Sequence, residues 1–291
     1  MKPRLLGGVE AGGTKMVCAV AWSPDEVLLE ERFETTTPAE TLSRVESFFR
    51  KCEREHGELA SIGYGTFGPA NVNPLSPKYG TILPTPKEHW EGTDLLGFLQ
   101  GAFPKAELAI DTDVNAAALG EGFAGAAKGL ENYVYITVGT GIGGGVVIAG
   151  QSLHGEPHAE IGHMKVPLLD EFQGSCTFHH QCLEGLASGS AMQKRWGCKA
   201  QELPADHPAW ELEAAYLAAM VQNLVSCFAP QKIILGGGVM EHPGLLPRVQ
   251  ELFLESSGGY WQGKENLLCA PLLGNMSGII GALRIAQLAA S

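Results

Sequence analysis

Two cysteines flank two adjacent histidines in "CTFHHQC", residues 176 to 182. Cys176, His179 and Cys182 fall in C-x2-H-x2-C spacing, and His163 lies thirteen residues before the first cysteine. Two thiolates and two imidazoles make a tetrahedral donor set that suits Zn2+. Spacing alone leaves His179 and His180 as alternatives, and His158 as a replacement for His163. A Cys176–Cys182 disulfide is the weaker alternative in a reducing compartment. Four protein donors would leave no open position for water, so such a zinc is structural rather than catalytic. The other five cysteines, Cys18, Cys52, Cys198, Cys227 and Cys269, stand in apolar or helical contexts and are expected to be buried.

Carboxylates supply the second candidate chemistry. In "DTDVNAAALGE" (111–121), Asp111, Asp113 and Asn115 alternate, and on an extended backbone they share one face at a strand's end. A carboxylate at the C-terminal edge of an α/β sheet can take a proton from a hydroxyl. The plainer reading makes Asp113 the N-cap of a helix starting at Val114. "EPHAEIGHMKV" carries Glu156, His158, Glu160 and His163 without the zincin order. Its glycine favours a loop, either a plain exposed polar one or one whose carboxylate accepts hydrogen bonds from ligand hydroxyls.

Glycine is the compositional outlier, with 38 residues. "GGVEAGGTK" (7–15), "GTGIGGG" (139–145) and "LGGGVM" (235–240) each sit beside an apolar β-branched run. Hairpin tips such as "AGGT" expose successive N–H groups with no side chain in the way, which suits phosphate oxygens. One such loop is a tight turn; three, with Thr14, Lys15 and Thr140 attached, point to nucleotide phosphate. No Walker sequence occurs, and no G-x-G-x-x-G opens a helix after a strand as in dinucleotide-binding folds.

The elements that must hold these groups are legible in outline. "LLGGVEAGGTKMVCAVAW" predicts two strands around a glycine turn. "PAETLSRVESFFRKCEREHG" predicts a helix with Leu42, Val45 and Phe49 on one face. "LASIGYGTFGP" and "AELAID" read as strands, "LLGFLQGAF" and "AAALGEGFAGAA" as helices, and 70–92 as loop. The strand–glycine–strand pattern returns at "YVYITVGTGIGGGVVIAG". The long helix "WELEAAYLAAMVQNLVSCFAP", the strand "KIILGGGVM" and the closing helix "SGIIGALRIAQLAA" follow it. The repetition predicts two similar α/β halves around a cleft. We expect an N-terminal lobe over 1–117, closed by a C-terminal helix near 277–291, and a C-terminal lobe over 118–276.

The 291 residues are 45% hydrophobic and 18% charged, an ordinary globular balance. A net charge of −12 argues against a nucleic-acid partner that needs a basic patch. No signal peptide, and no run of 18 uncharged apolar residues, is visible, so a cytoplasmic protein is expected.

"EAGGTK", "DTDVNAAALGE", "ITVGTGIGGGVVIAGQSLHGEPHAEIGH", the Cys/His knuckle with "CLEGLASG", and "IILGGGVM" occur in one order across nearly the whole chain. This set resembles the ROK family of sugar kinases, most of all its bacterial fructokinase branch. The resemblance implies an actin-like ATPase fold with two ribonuclease-H-like lobes around an interlobe cleft, a hexose as substrate, Mg-ATP as cofactor, a structural zinc and a homodimer. It implies Asp113 as general base for the 6-hydroxyl. Asn115, Glu160, His163, Glu184 and Gly68 would line the sugar. Gly12, Gly13, Thr14 and Lys15 would form the first phosphate loop, and Thr140, Gly141 and Ser190 the second. Gly236, Gly237, Gly238, Val239 and Met240 would lie along the adenosine. His163, Cys176, His179 and Cys182 fall on the zinc positions, which selects His179 over His180.

The chain departs from the family pattern at Glu10, where many relatives have aspartate, and at Ser190, where the branch often has proline. Fructose is the implied sugar, with glucose, mannose and N-acetylmannosamine as alternatives. A zinc hydrolase is disfavoured by the closed donor set. A sugar-sensing repressor is disfavoured by the acidic charge and by a first strand predicted to start by residue 5.

Overall fold

β1 (Leu5–Ala11) and β2 (Lys15–Ala21) pair antiparallel, and the tip between them is Gly12–Thr14. They are seen in a computed structural model that describes residues 4–85, 87–156 and 158–291. Pro86 of "TPKEHW" and Pro157 of "EPHAEIGH" lie outside the described residues. β3 (Val27–Glu34) continues the meander. β4 (Leu59–Thr66) lies parallel to β1, and β5 (Glu107–Thr112) parallel to β4, in the order β3-β2-β1-β4-β5. The central strands are buried on both faces, so their apolar runs are nearly continuous rather than alternating.

α1 (Pro38–His56), capped by Thr37, buries Leu42, Val45 and Phe49 as its periodicity predicts. Phe48 and Cys52 join them. With α2 (Leu95–Ala102) these residues belong to one core cluster, which includes Val9, Ile62, Trp90 and Leu99. Each fully buried side chain of this kind stabilises the fold by about 1.5–3 kcal/mol. A separate cluster joins Leu6 and Val17 to Ile279 and Leu283 of α8 (Ser277–Ala289). α3 (Asp113–Ala124) packs backbone-close on α8 through glycine: a Cβ on Gly281 would sit 1.6 Å from the Ala116 carbonyl oxygen.

The second sheet repeats the arrangement. β6 (Tyr133–Val138) and β7 (Ile142–Ile148) form the antiparallel hairpin, and β8 (Gln151–Ser152) follows. β9 (Lys232–Gly236) lies parallel to β6, and β10 (Leu268–Cys269) parallel to β9, in the order β10-β9-β6-β7-β8. Read outward from the central hairpin, both sheets have one topology. α4 (Leu183–Ala187), α5 (Gly189–Trp196), α6 (Ala209–Phe228) and α7 (Leu245–Ser256) belong to this half. Sequence reading missed α7, although Leu245, Val249 and Phe253 recur every four residues and are buried.

Two compact units result. One holds the chain up to Gly129 together with Gln151–Ala159 and Leu272–Ser291; the other holds Leu130–Gly150 and Glu160–Pro271. A division after 117 would cut α3, whose packing on α8 keeps it whole in the first unit. The cysteine expectation also needs correction: Cys227 is exposed and Cys198 and Cys269 are partly so. Cys227 stands in the last turn of α6, beyond Val225, the last buried residue of that helix.

Candidate active site and metal centre

The corner between β5 and α3 is built by three adjacent side chains. Thr112, not Asp113, is the N-cap: its Oγ1 accepts the Asn115 N–H at 3.2 Å. Asp113 is therefore the first helical residue, half-buried, with Oδ1 accepting the Val114 N–H at 2.9 Å. The chain turns helical here, so Asp111, Asp113 and Asn115 do not share one face as an extended strand would place them. Asp111 and Asn115 stand four apart and meet, with Asn115 Nδ2 donating to Asp111 Oδ1 at 2.7 Å. Asn115, expected on a sugar hydroxyl, is 4% exposed, and its amide supports this corner.

Asp111 is buried and fully engaged. Its Oδ1 also accepts the Thr112 N–H at 2.8 Å, and its Oδ2 faces His154 Nε2 at 2.9 Å. The carboxylate raises the His154 pKa above its ordinary 6.5, against a smaller opposing effect of burial. His158, on the same 151–159 segment, accepts the Ala70 N–H at 3.3 Å and lies 3.5 Å from a Cβ built on Gly68. Thr85 Oγ1 holds the Gly68 carbonyl at 3.4 Å. Asp111 and His154 were not among the expected site residues. The "DTD" spacing was the available signal for the first; nothing local marked the second.

At the first glycine loop, Gly12 N–H donates to the Lys15 carbonyl at 2.9 Å, and Thr35 Oγ1 donates to the Gly12 carbonyl at 2.8 Å. Gly13, Thr14 and Lys15 are exposed, and nothing lies within 4 Å of a Cβ built on Gly13. Lys87 Nζ donates to the Gly13 carbonyl and, at 3.3 Å, to that of Thr35. Behind the loop, burial raises the Glu10 carboxyl pKa, partly offset by Lys15 and Arg32. Glu10 Oε2 has no hydrogen-bond partner among the described residues.

The second glycine loop meets two further expected residues, Ser190 and Glu184. Gly139 N–H donates to the Gly141 carbonyl at 2.9 Å, and the Ser190 N–H donates to the Thr140 carbonyl at 3.3 Å. A proline at 190 could not make that bond. Ser188 caps α5, and Gly189 N–H reaches the Gly139 carbonyl at 2.7 Å. Glu184 Oε2 accepts the Ile142 N–H at 3.0 Å, so this carboxylate braces the loop. Gly237 has φ +92, and a Cβ there would fall 2.5 Å from the Val138 carbonyl oxygen, so the position demands glycine. Gly236 ends β9, Gly238 and Met240 form the following 3-10 turn, and Val239 anchors it, 2% exposed.

The metal expectation finds its donors assembled. One ligand atom each from His163, Cys176, His179 and Cys182 lies within 4.8 Å of the others. Cys182 Sγ is 3.5 Å from His163 Nδ1, and Cys176 Sγ is 3.9 Å from Nδ1 of both His163 and His179. A tetrahedral zinc with ordinary bond lengths sets S···N edges of about 3.5 Å, so the set fits that ion. His180 takes positive φ and points its backbone into a bridge with Cys176 instead. No disulfide joins Cys176 and Cys182. Glu160 is exposed and precedes the short turn Ile161–His163, so one turn presents both the carboxylate and the first donor.

Paired α/β units of a single strand order, each with a glycine-tipped hairpin, define the actin-like ATPase fold. The ROK hexokinase of Thermus thermophilus superposes with TM-score 0.83 at 30% identity, covering 98% of each chain. A ROK glucokinase of Streptomyces griseus, solved with glucose and AMPPNP, gives 0.75 at 25%, covering 98% of this chain and 99% of that one. The ROK family profile matches residues 6–289, and the chain belongs to that family. A fructokinase of Pediococcus pentosaceus is 43% identical over 98% of both chains. One of Zymomonas mobilis is 42% identical over 97% of this chain and 96% of its own.

Proposed function

We propose that the protein is an ATP-dependent hexose kinase that transfers the γ-phosphoryl group to the 6-hydroxyl of fructose. The observation that carries the reading is Asp113 at the strand-to-helix corner. Thr112 has taken the capping role, and Asp111 and Asn115 brace the turn on either side. Kinship with proteins named fructokinase supports the choice of sugar.

Phosphoryl transfer asks for positioning and charge neutralisation more than for covalent help. In this reading Asp113 orients the 6-hydroxyl and takes its proton as the oxygen attacks phosphorus. Glu160, Glu184, His163 and Gly68 shape the sugar side, with Asn115 acting from behind the corner. Backbone N–H groups at Gly13–Thr14 and at Thr140–Gly141 receive phosphate oxygens, with Gly12 and Lys15 closing the first tip and Ser190 fixing the second loop. Residues 236–240 lie along the adenosine, in the turn that Gly237 shapes against Val138. Magnesium, when bound with the nucleotide, supplies further neutralisation of the triphosphate. Glu10, with its unpartnered buried Oε2, is the carboxylate of this chain that fits it. Zinc on His163, Cys176, His179 and Cys182 holds the turn that presents Glu160 and, through Cys182 at the start of α4, Glu184.

Among the described residues no helix is long and apolar enough to cross a membrane. A cytoplasmic homodimer completes the proposal, and sedimentation analysis tests the dimer. The deciding experiment is an ADP-release assay with Mg-ATP over fructose, glucose, mannose and N-acetylmannosamine. The highest kcat/KM is expected on fructose; a best rate on an aldose would overturn the sugar, and no ADP on any of them the activity.

A further inference from the structure

Lys87 comes from the loop "TPKEHW", which no expectation had tied to the phosphate machinery. Its ammonium is not loose in solvent. It is moored at the tip of the β1–β2 hairpin by the carbonyls of Gly13 and Thr35. The same loop is fastened nearby by Trp90, fully buried, whose Nε1 donates to the Thr36 carbonyl at 2.9 Å. Thr35 in turn grips the hairpin through its N–H to the Thr14 carbonyl at 3.0 Å and its hydroxyl to Gly12. The lysine is therefore fixed relative to the loop.

An ammonium has three donors, and two are spent on these carbonyls. The third is left over at a place where Gly13 offers open space. Charge makes that donor valuable. The chain carries −12 overall, so its average field repels a triphosphate, and attraction must come from cations placed locally. Capping two carbonyls is not by itself a reason to hold a full charge at an open loop tip, since neutral donors can do it.

We propose that Lys87 is a catalytic cation: its remaining N–H receives a non-bridging oxygen of the phosphoryl group in transit. The inference rests on reading Gly12–Lys15 as a phosphate loop of the kinase. The bond from the γ-phosphorus to the β-bridging oxygen breaks, the bond to the sugar 6-oxygen forms, and the hydroxyl proton goes to Asp113. Lys87 gives up no proton. It offsets the charge carried by the transferred group, and that charge is most mobile in the transition state.

The test is steady-state kinetics of Lys87→Met and Lys87→Arg against the wild type, varying ATP and sugar independently. Removing one donor aimed at transition-state charge costs about 100-fold in kcat. The Met variant is expected to lose that much while its sugar KM stays within about threefold, and Arg to recover about tenfold of the loss. Thr35→Val loosens the same hairpin without removing charge and separates mooring from catalysis. The proposal is overturned if Lys87→Met keeps kcat within about threefold, or if Thr35→Val loses as much as Lys87→Met. A wild type that releases no ADP on any hexose overturns the kinase reading and this inference together. An active wild type beside an unimpaired Met variant overturns this inference alone.

Discussion

His154 Nε2 stands 2.9 Å from Asp111 Oδ2, and the other oxygen of that carboxylate holds the first turn of the helix that begins with Asp113. A residue 43 positions away in sequence is thereby part of the geometry of the candidate base. His154→Ala should lower kcat about tenfold through misplacement of the corner, with a smaller change in KM. The pair also sets a pH dependence. The folded pKa of His154 is raised above 6.5 by Asp111. Its stabilisation is therefore complete below that value and lost as pH rises through the folded pKa. Urea melts of wild type and His154→Ala should differ most at mildly acid pH and converge in alkali. A gap that widens with pH would contradict this.

Asp113→Asn should leave a folded protein that binds sugar and turns over at least about 100-fold more slowly. Calorimetric sugar binding together with the ADP assay checks both halves. Turnover near that of the wild type would remove Asp113 from the mechanism.

Purified protein should contain one zinc per chain by elemental analysis. Cys182→Ser should lose the metal, lower the melting temperature by roughly 5 °C or more, and raise the sugar KM through Glu160 and Glu184. If chelation removes zinc and leaves sugar KM unchanged, the site is only a local staple.

Glu213 on α6 is buried, and its Oε1 has no partner among the described residues. Burial pushes its carboxyl well above the usual range, and Arg195 offsets this only in part. The folded chain then holds a proton that the unfolded chain releases above about pH 4.5, so stability falls as pH rises. Glu213→Gln should match wild type near pH 4 and exceed it by a few °C in melting temperature, roughly, at pH 8. Equal melting temperatures at pH 8 would show the carboxyl is accommodated as a charge.

Gly281→Ala would place a methyl 1.6 Å from the Ala116 carbonyl oxygen. Backbone cannot yield as a side chain can, so the α3–α8 pair must separate at a cost of about 3 kcal/mol. Because α3 begins with Asp113, the variant should lose kcat as well as stability. A variant with normal melting and normal kcat would disprove the tight coupling.

Much of this was present in order and spacing alone. The two glycine-tipped hairpins, α1, the corner after β5 and the C-x2-H-x2-C knuckle are local patterns, and local sterics and periodicity decide them. The repeated strand order follows from the repeated strand–glycine–strand text. Other features depended on contacts between distant segments, which spacing does not encode. Thr112 displaced Asp113 as cap because its hydroxyl reaches Asn115 N–H, and Asn115 turned inward because Asp111 waits four residues back. His154, Lys87 and the bracing bond from Glu184 to Ile142 gained their places only through folding. The residue types that could do chemistry were written in the chain. Which of them bear on the chemistry, and which hold those that do, was decided by burial and by partners brought from elsewhere in the fold.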